Sequence, residues 1–426
     1  MVALRSEAPA GDDSLPRRPF FAARSPRNPV KILFLCHRVP YPPDRGDRIT
    51  TWHFLRHMLD AGHEVRLGCF SEEDRDSDAV AFLQKRCKEV AAPRMSRSWR
   101  KLLSLRGLLT GQALTVPFFS DRRLRSTVRR WIAESKPDLV YVYSSSMAQY
   151  VMSLPSVRKV MHFAELDSDK WLQYAKASGP LGRWIYGREW KRLLQFEAAV
   201  AREFDLSIVV SDVERELFMR CIPGVDPAVL PNGVDVEHFA TKGDAERGAH
   251  TLVFTGVMDY EPNVDGVMWF ADACWPDLKR RYPDARLLVV GSRPTDAVKA
   301  LAQKDGIEVT GRVPETPPYF DRASVAIAPL RLARGVQNKV LEAMSMALPV
   351  VSTTQAAQGL GEVPKGTVRI ANDPAAMIAA ICDLFDHPQQ ARAEGLAAAV
   401  FVRERFGWPA MHARLDEKLR AMGLRA

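Results

Sequence analysis

No run of about 18 consecutive apolar residues occurs in the 426-residue chain, so the sequence holds no helix-length membrane span. Cysteine is sparse: six residues, none in a CxxC pair, with Cys36, Cys69, Cys274 and Cys382 inside apolar stretches. That pattern argues against a disulfide framework or a cysteine zinc site and suits buried thiols in a reducing compartment. The first 29 residues lack an apolar stretch of signal-peptide length and mix Pro, Arg, Asp and Ser, as in a disordered leader. The expected location is therefore the cytoplasm. No GxGxxG follows the first strand pattern, which disfavours a dinucleotide-dependent dehydrogenase. His53 and His57 have the i, i+4 spacing of a metal pair, but the zinc-protease glutamate and a third ligand are missing, so no metal is expected.

What is present is ordinary globular material, 46% hydrophobic and 26% charged, long enough for two cores. Short apolar runs alternate with helical patterns. The first series is Val30 to Cys36, Glu64 to Phe70, Asp138 to Ser144, Val160 to Glu165 and Leu206 to Asp212. The second is Thr251 to Val257, Ala285 to Gly291, Ile307 to Val313, Val325 to Leu330, Pro349 to Thr353 and Thr367 to Asn372. Such alternation implies right-handed crossovers and mostly parallel sheets, hence an α/β chain of two Rossmann-like lobes facing across a cleft. Residues 30–238 are expected to form the first lobe and 239–404 the second, with the turn-rich stretch from Pro231 to His250 as linker. The helical pattern of 405–426 follows a Gly-Trp-Pro break and is expected to cross back onto the first lobe.

The segment from Arg334 to Pro349, RGVQNKVLEAMSMALP, lies between two of these strands and reads as an anion cradle at a helix start. Backbone amides at Gly335, Gln337 and Asn338 can converge on a diphosphate at the positive helix end, with Arg334 and Lys339 adding charge. Glu342, one turn on, is placed to accept from ribose hydroxyls. This run, with LEAM leading to LPVVST, resembles the donor site of family 4 retaining glycosyltransferases of the GT-B fold. The family's signature has a first glutamate separated from this one by seven residues; here that position, eight before Glu342, is Arg334. The family also places an Arg and a Lys in the loop after the first strand of the second lobe, where this chain has Gly256, then Met258 and Asn263, the last expected to cap the next helix. The resemblance therefore implies that diphosphate charge neutralisation has moved to Arg334 and Lys339, with Arg312 in VTGRVPE as a further donor-side candidate.

In doubly wound sheets ligands bind beyond the carboxyl ends of the strands. In the first lobe that edge begins with HRVPYPPDRGDRITTW, where Asp44, Arg45, Gly46 and Asp47 are candidates for approaching the donor. His162, at the end of a strand in VMHFAELDSDKW, stands where the family often carries a His or Asp near the reacting sugar, and Glu165, Asp167 and Asp169 crowd the same edge. HFAELDSDKWLQYA, LPNGVD, GVMDYEPN and GVQNKVLEAM, in this order, resemble a bacterial subgroup associated with exopolysaccharide loci and the exosortase (PEP-CTERM) sorting system.

The formal charge is +9, and between Arg94 and Arg130 ten Lys or Arg face one acid, Asp121. Arg122, Arg123, Arg129 and Arg130, with interleaved Leu, Phe and Trp, read as a basic amphipathic segment for an anionic membrane surface or as a solvated helix face over the core. No nucleic-acid motif accompanies the charge. The resemblance implies transfer of a hexosyl unit, with retention, from a nucleotide diphosphate sugar to a glycan or lipid-linked glycan in exopolysaccharide biosynthesis, peripheral to the inner membrane face, without cofactor or metal. His162, Asp47, Arg334 and Lys339 are the residues nearest the chemistry on this reading. A nucleotide-sugar 2-epimerase of the same fold and a catalytically inactive glycan-binding protein are the alternatives.

Overall fold

The computed structural model describes residues 29–44, 46–72, 76–154, 157–241, 247–333 and 335–424. Nearly all of the expected leader lies outside the described residues, as do Arg45 and Arg334. In the first lobe the strands are β1 (Lys31–Cys36), β2 (Glu64–Gly68), β3 (Glu89–Ala91), β4 (Leu139–Tyr143), β5 (Arg158–Ala164), β6 (Leu206–Val209) and β7 (Ala228–Val229). They pair in parallel in the order β3-β2-β1-β4-β5-β6-β7. The second lobe holds β8 (Thr251–Thr255), β9 (Arg286–Val290), β10 (Ile307–Gly311), β11 (Val325–Ala328), β12 (Val350–Ser352) and β13 (Arg369–Ile370), ordered β10-β9-β8-β11-β12-β13. Each sheet therefore reverses direction once, between β1 and β4 and between β8 and β11. At these switch points the loops part and leave a crevice at the carboxyl edge, the place where such sheets take ligands.

The helices that carry the argument are α1 (Gly46–Asp60), α2 (Arg97–Ser104), α3 (Arg106–Thr110), α4 (Arg122–Ser135), α5 (Asp167–Ala177), α6 (Pro180–Glu203), α7 (Glu261–Ala273), α8 (Asn338–Ser345) and α9 (Trp408–Ala421). The continuous apolar strands bury both faces. One face of the first sheet packs Phe34, Phe54 and Tyr141, the other Leu35, Val128 and Trp131, while the second lobe has its own core around Phe254, Phe270 and Leu288. Each such side chain contributes about 1.5–3 kcal/mol by leaving water.

After Gly407 the chain returns to the first lobe: Trp408, Met411, Leu415 and Leu419 of α9 complete the core face that α1 covers. This docking explains His53 and His57. His53 stacks on Trp408 with ring centroids 4.0 Å apart, and His57 stacks on His412 and meets Asp416 at 2.8 Å. The two crossings between lobes run side by side, since Val234 N donates to Phe406 O at 2.8 Å and Val234 bridges Gly407. Among the described residues no helix is long and apolar enough to cross a membrane.

Candidate functional site

The donor-side crevice is framed by the loops after β8 and β11. Gly256 leaves β8 with its backbone pressed on the loop after β9: a Cβ built on Gly291, at φ +151°, would lie 1.6 Å from Gly256 O. A Cβ on Gly256 itself would stand 2.7 Å from Asn263 Nδ2 and 3.1 Å from Lys339 Nζ. Glycine is thus required at 291, and at 256 it leaves room for the Asn263 amide and the Lys339 ammonium. Lys339, in the first turn of α8, reaches across the switch point and donates to Asn263 Oδ1, while Asn263 Nδ2 donates to Val257 O at 2.9 Å, which orients the amide. The ring of Phe254 lies 4.5 Å beneath the ammonium.

Lys339 and Glu342, one turn apart, perturb each other. Burial brings the Lys339 amine down to about 7 while Glu342 partly restores it, and burial pushes the Glu342 carboxyl up to about 7 against the pull of Lys339. Both side chains remain partly open to the crevice. Met258 is fully buried, so the position where a cation was sought faces the lobe's core, and it is the Lys339 ammonium that lies against the Gly256 loop. Asn263 sits inside α7, three residues beyond its cap Tyr260. It orients the lysine and does not cap the helix, a correction to the sequence expectation.

The loop before α8 is held from behind. Gly335 has φ +63°, and a Cβ on Gly359 would fall 2.5 Å from Gly335 C and from Val336 N. Gln358 Nε2 donates to Ala333 O at 2.9 Å. Gln337 precedes α8 with extended backbone, so the amides of Asn338 and Lys339 begin the helix at the crevice. Arg312 is exposed after β10, two strands from β8, and the structure does not bring it to Lys339 or Gly256.

The first lobe presents its carboxyl edge opposite. The Glu165 Oε1 atom lies 3.8 Å from where a Gly335 Cβ would be. Glu165 is aimed there by local distortion: the β5–β6 pairing shifts register between His162 and Ala164, and Ala164 adopts φ +64°. Ser144, at the end of β4, has φ 73°, so two side-chain-bearing residues hold left-handed backbone at one sheet edge, the signature of strain kept for a site. Beside them His37 stacks on Tyr143 with centroids 6.0 Å apart. Its Nε2 meets Asp47 Oδ2 at 3.2 Å, and Arg38 donates to the same oxygen at 2.6 Å. Burial opposes ionisation of Asp47, but His37 and Arg38 outweigh it and hold the carboxyl well below the usual range. Asp47 is thus an ionised anchor between β1 and α1, engaged by His37 and the Arg38 guanidinium, and not a base awaiting a proton. Gly46 opens α1, where an added Cβ would meet nothing within 4 Å.

His162 does not reach this edge. It is 0% exposed, its Nδ1 pairs with Tyr141 Oη at 2.7 Å, and Phe54 and Tyr143 pack around it. Burial lowers it to about 3, so the imidazole is neutral. A residue in register with Tyr143 belongs to the core by position, so the expectation that His162 lines the cleft is corrected; at this edge it is Glu165, three residues on, that faces the Gly335 loop. The sequence drew attention to the crowded edge but not to which acid would face the cleft, because the bulge that turns Glu165 outward leaves no mark in composition.

The four arginines of α4 are also placed differently from the amphipathic expectation. Leu124, Val128 and Trp131 of that helix are core, Arg130 meets Glu89 at 3.2 Å, and Arg122, Arg123 and Arg129 stand in solvent with no exposed large apolar side chain on the same helix.

Two family models match the chain. One, described as Glycosyltransferase Family 4, covers residues 46–238, and the other, Glycosyl transferases group 1, covers residues 249–387. An uncharacterized 44.6 kDa protein in the cps region of Klebsiella pneumoniae is 22% identical over 359 residues, 81% of this chain and 88% of that one. A phosphatidyl-myo-inositol mannosyltransferase of Mycolicibacterium smegmatis is 25% identical over 326 residues, 72% and 78% of the two chains. Among solved structures, sucrose-phosphate synthase from Thermosynechococcus elongatus superposes with a TM-score of 0.67 at 17% identity, covering 92% of this chain and 99% of that one. Anabaena HepE in complex with UDP gives 0.65 at 14%, covering 92% and 100%.

Proposed function

Because the chain is a glycosyltransferase of the family 4 type on a GT-B fold, we propose that it moves a hexosyl unit from a nucleoside diphosphate sugar to a hydroxyl of a lipid-linked glycan, with retention, in exopolysaccharide biosynthesis. The observation that carries the reading is Lys339, whose ammonium lies against the Gly256 backbone at the switch point of the second sheet. That is where a diphosphate needs neutralising as the bond to the sugar breaks, and fixed charge there is worth several kcal/mol in the transition state. Glu342, next on the same helix, is placed for a ribose, and its raised carboxyl lets it donate as well as accept. We assign no nucleophile. Glu165 faces the donor loop from the first lobe, and the reaction we favour is front-face substitution, the leaving phosphate oxygen taking the acceptor proton, which demands positioning more than an acid–base pair.

The similarity to a protein of a cps region and to mannosyltransferases supports a surface-glycan role and a hexose donor. We place the chain in the exosortase-associated subgroup on its HFAELDSDKW, LPNGVD and GVQNKVLEAM runs, and at the inner membrane face because the acceptor is lipid-linked. The epimerase alternative leaned on a histidine beside the sugar, and the burial of His162 removes that support. The test is incubation with labelled UDP- and GDP-hexoses, following transfer, hydrolysis and the anomeric configuration of the product. Transfer with retention that is lost in Lys339→Met supports the reading. Epimerised free donor, or nucleotide binding without turnover for every donor and acceptor, overturns it.

A further inference from the structure

Exposed large apolar side chains gather on one flank of the first lobe. Leu181 and Trp184 of α6 are 72% and 63% exposed, and Leu102, Leu105 and Leu108, on and between α2 and α3, are 58%, 48% and 44% exposed. The two groups are neighbours, because Arg188 of α6 donates to Gly107 O of α3 at 2.7 Å. Between α5 and α6 runs a groove of about 800 Å³, lined by Lys176, Arg183, Arg188, Lys191, Arg192 and Trp184 among others, and by no acid. None of these five cations makes an ion pair among the described residues. The acid nearest in sequence, Glu189, is turned inward, accepting from Leu114 N and Thr115 N at 2.6 and 2.8 Å.

Unpaired cations beside exposed tryptophan and leucine complement one kind of surface, a bilayer with anionic headgroups: the rings and alkyl chains enter the interface, and the charges meet phosphate. An acidic polymer would use the cations but gain nothing from Leu181. The contrast with α4 sharpens the choice, since its arginines have no exposed large apolar partner on their helix. The flank also begins at the cleft. α5 starts at Asp167, two residues after Glu165, and its 11 residues carry the chain about 16 Å to the groove. Tyr174 of α5 is close enough to raise the Tyr260 phenol at the donor-lobe mouth, after burial and Glu165.

We propose that the α5–α6 flank, with α2 and α3 at its edge, docks on an anionic bilayer, Leu181 and Trp184 entering the interface and the cationic groove taking lipid phosphates, which sets the cleft mouth at the membrane surface. The purpose of this docking rests on the reading of a lipid-linked acceptor, whereas the binding itself does not. The test is co-sedimentation of the full chain with vesicles of phosphatidylcholine plus phosphatidylglycerol, against phosphatidylcholine alone. Binding to the anionic vesicles is expected. Leu181→Ser with Trp184→Ser, and separately Lys191→Gln with Arg192→Gln, should each weaken it about tenfold, while Arg122→Gln with Arg129→Gln should leave it within about twofold. No binding to anionic vesicles overturns the proposal, as does binding indifferent to Leu181 and Trp184, which would mark the groove as a site for a soluble polyanion. UDP and GDP titration of the same variants checks that they fold and reports on donor recognition alone, so membrane docking and glycosyl transfer can fail independently.

Discussion

Lys339 sits where donor affinity and protonation meet. In the ligand-free site burial brings its amine down to about 7, with Glu342 pulling the other way. A bound diphosphate calls for the ammonium, so binding above pH 7 must first restore the proton. Each pH unit above the free-site value costs at most 1.36 kcal/mol, a factor of ten. Because the crevice is partly open to water, about three- to tenfold per unit is the expected loss. Glu342 ionises over the same range and adds repulsion that steepens the fall. The assay is calorimetric titration with UDP and GDP from about pH 6.5 to about pH 8.5, in buffers of different ionisation enthalpy, so that proton uptake is counted directly. Lys339→Met should weaken binding by about 10- to 100-fold, the range for a lost charge-assisted contact, and should reduce both the pH slope and the uptake to the part that Glu342 carries. Stability supplies an opposite sign. A lysine lowered from 10.5 costs the fold more as pH falls from that value towards 7, and a glutamate raised from 4.5 costs it more as pH rises towards 7. Both costs are present near neutrality, so Lys339→Met should melt higher than the parent while binding worse. A flat affinity across the range, or a slope that the substitution leaves unchanged, refutes the assignment.

Gly359→Ala places a methyl 2.5 Å from the Gly335 backbone and should displace the loop before α8, lowering kcat/KM by about 100-fold, as misplacements near 1 Å do; steady-state kinetics with the fold checked by circular dichroism decides it. His162→Leu should cost about 1–3 kcal/mol in denaturant unfolding by stranding the Tyr141 hydroxyl, with turnover nearly unchanged, whereas lost turnover in a stably folded variant would return the histidine to the chemistry. Trp408→Ala removes the ring that covers His53 and Gly233 and should destabilise the chain by about 3–5 kcal/mol, read by the same unfolding method.

The alternation of apolar runs was enough to read both lobes, because strands buried on two faces leave uninterrupted Val, Ile and Leu in sequence, as in VAIAPL and ARLLVVG. Edge strands β3 and β7 escaped that reading: three and two residues long and half-buried, they carry too little apolar signal. The donor crevice was legible in part. Gly335, Lys339 and Glu342 announce themselves by spacing along one helix start, whereas the partnership of Lys339 with Asn263 joins residues 76 positions apart and depends on the β8–β11 switch point. The basic segment was read on Arg122, Arg123, Arg129 and Arg130, whereas the exposed large apolar side chains of that flank lie on and between α2 and α3 and on α6. Charge density is visible in sequence, yet which leucines face outward depends on how α2, α3 and α6 pack.

The paired crossing at Val234 and Gly407 has a consequence for how a reaction cycle can proceed. A chain that passes once between two bodies allows swivel and bend about the strand. Here two passes are fastened to each other by the Val234 N to Phe406 O hydrogen bond, and Trp408 is wedged behind Gly233, where even a methyl would come within 2.5 Å of its ring. Swivel would tear this splice, so flexing remains as the easy motion. A bend about that splice would carry Glu165 away from, and back to, the same glycine turn at Gly335 that it faces in this structure.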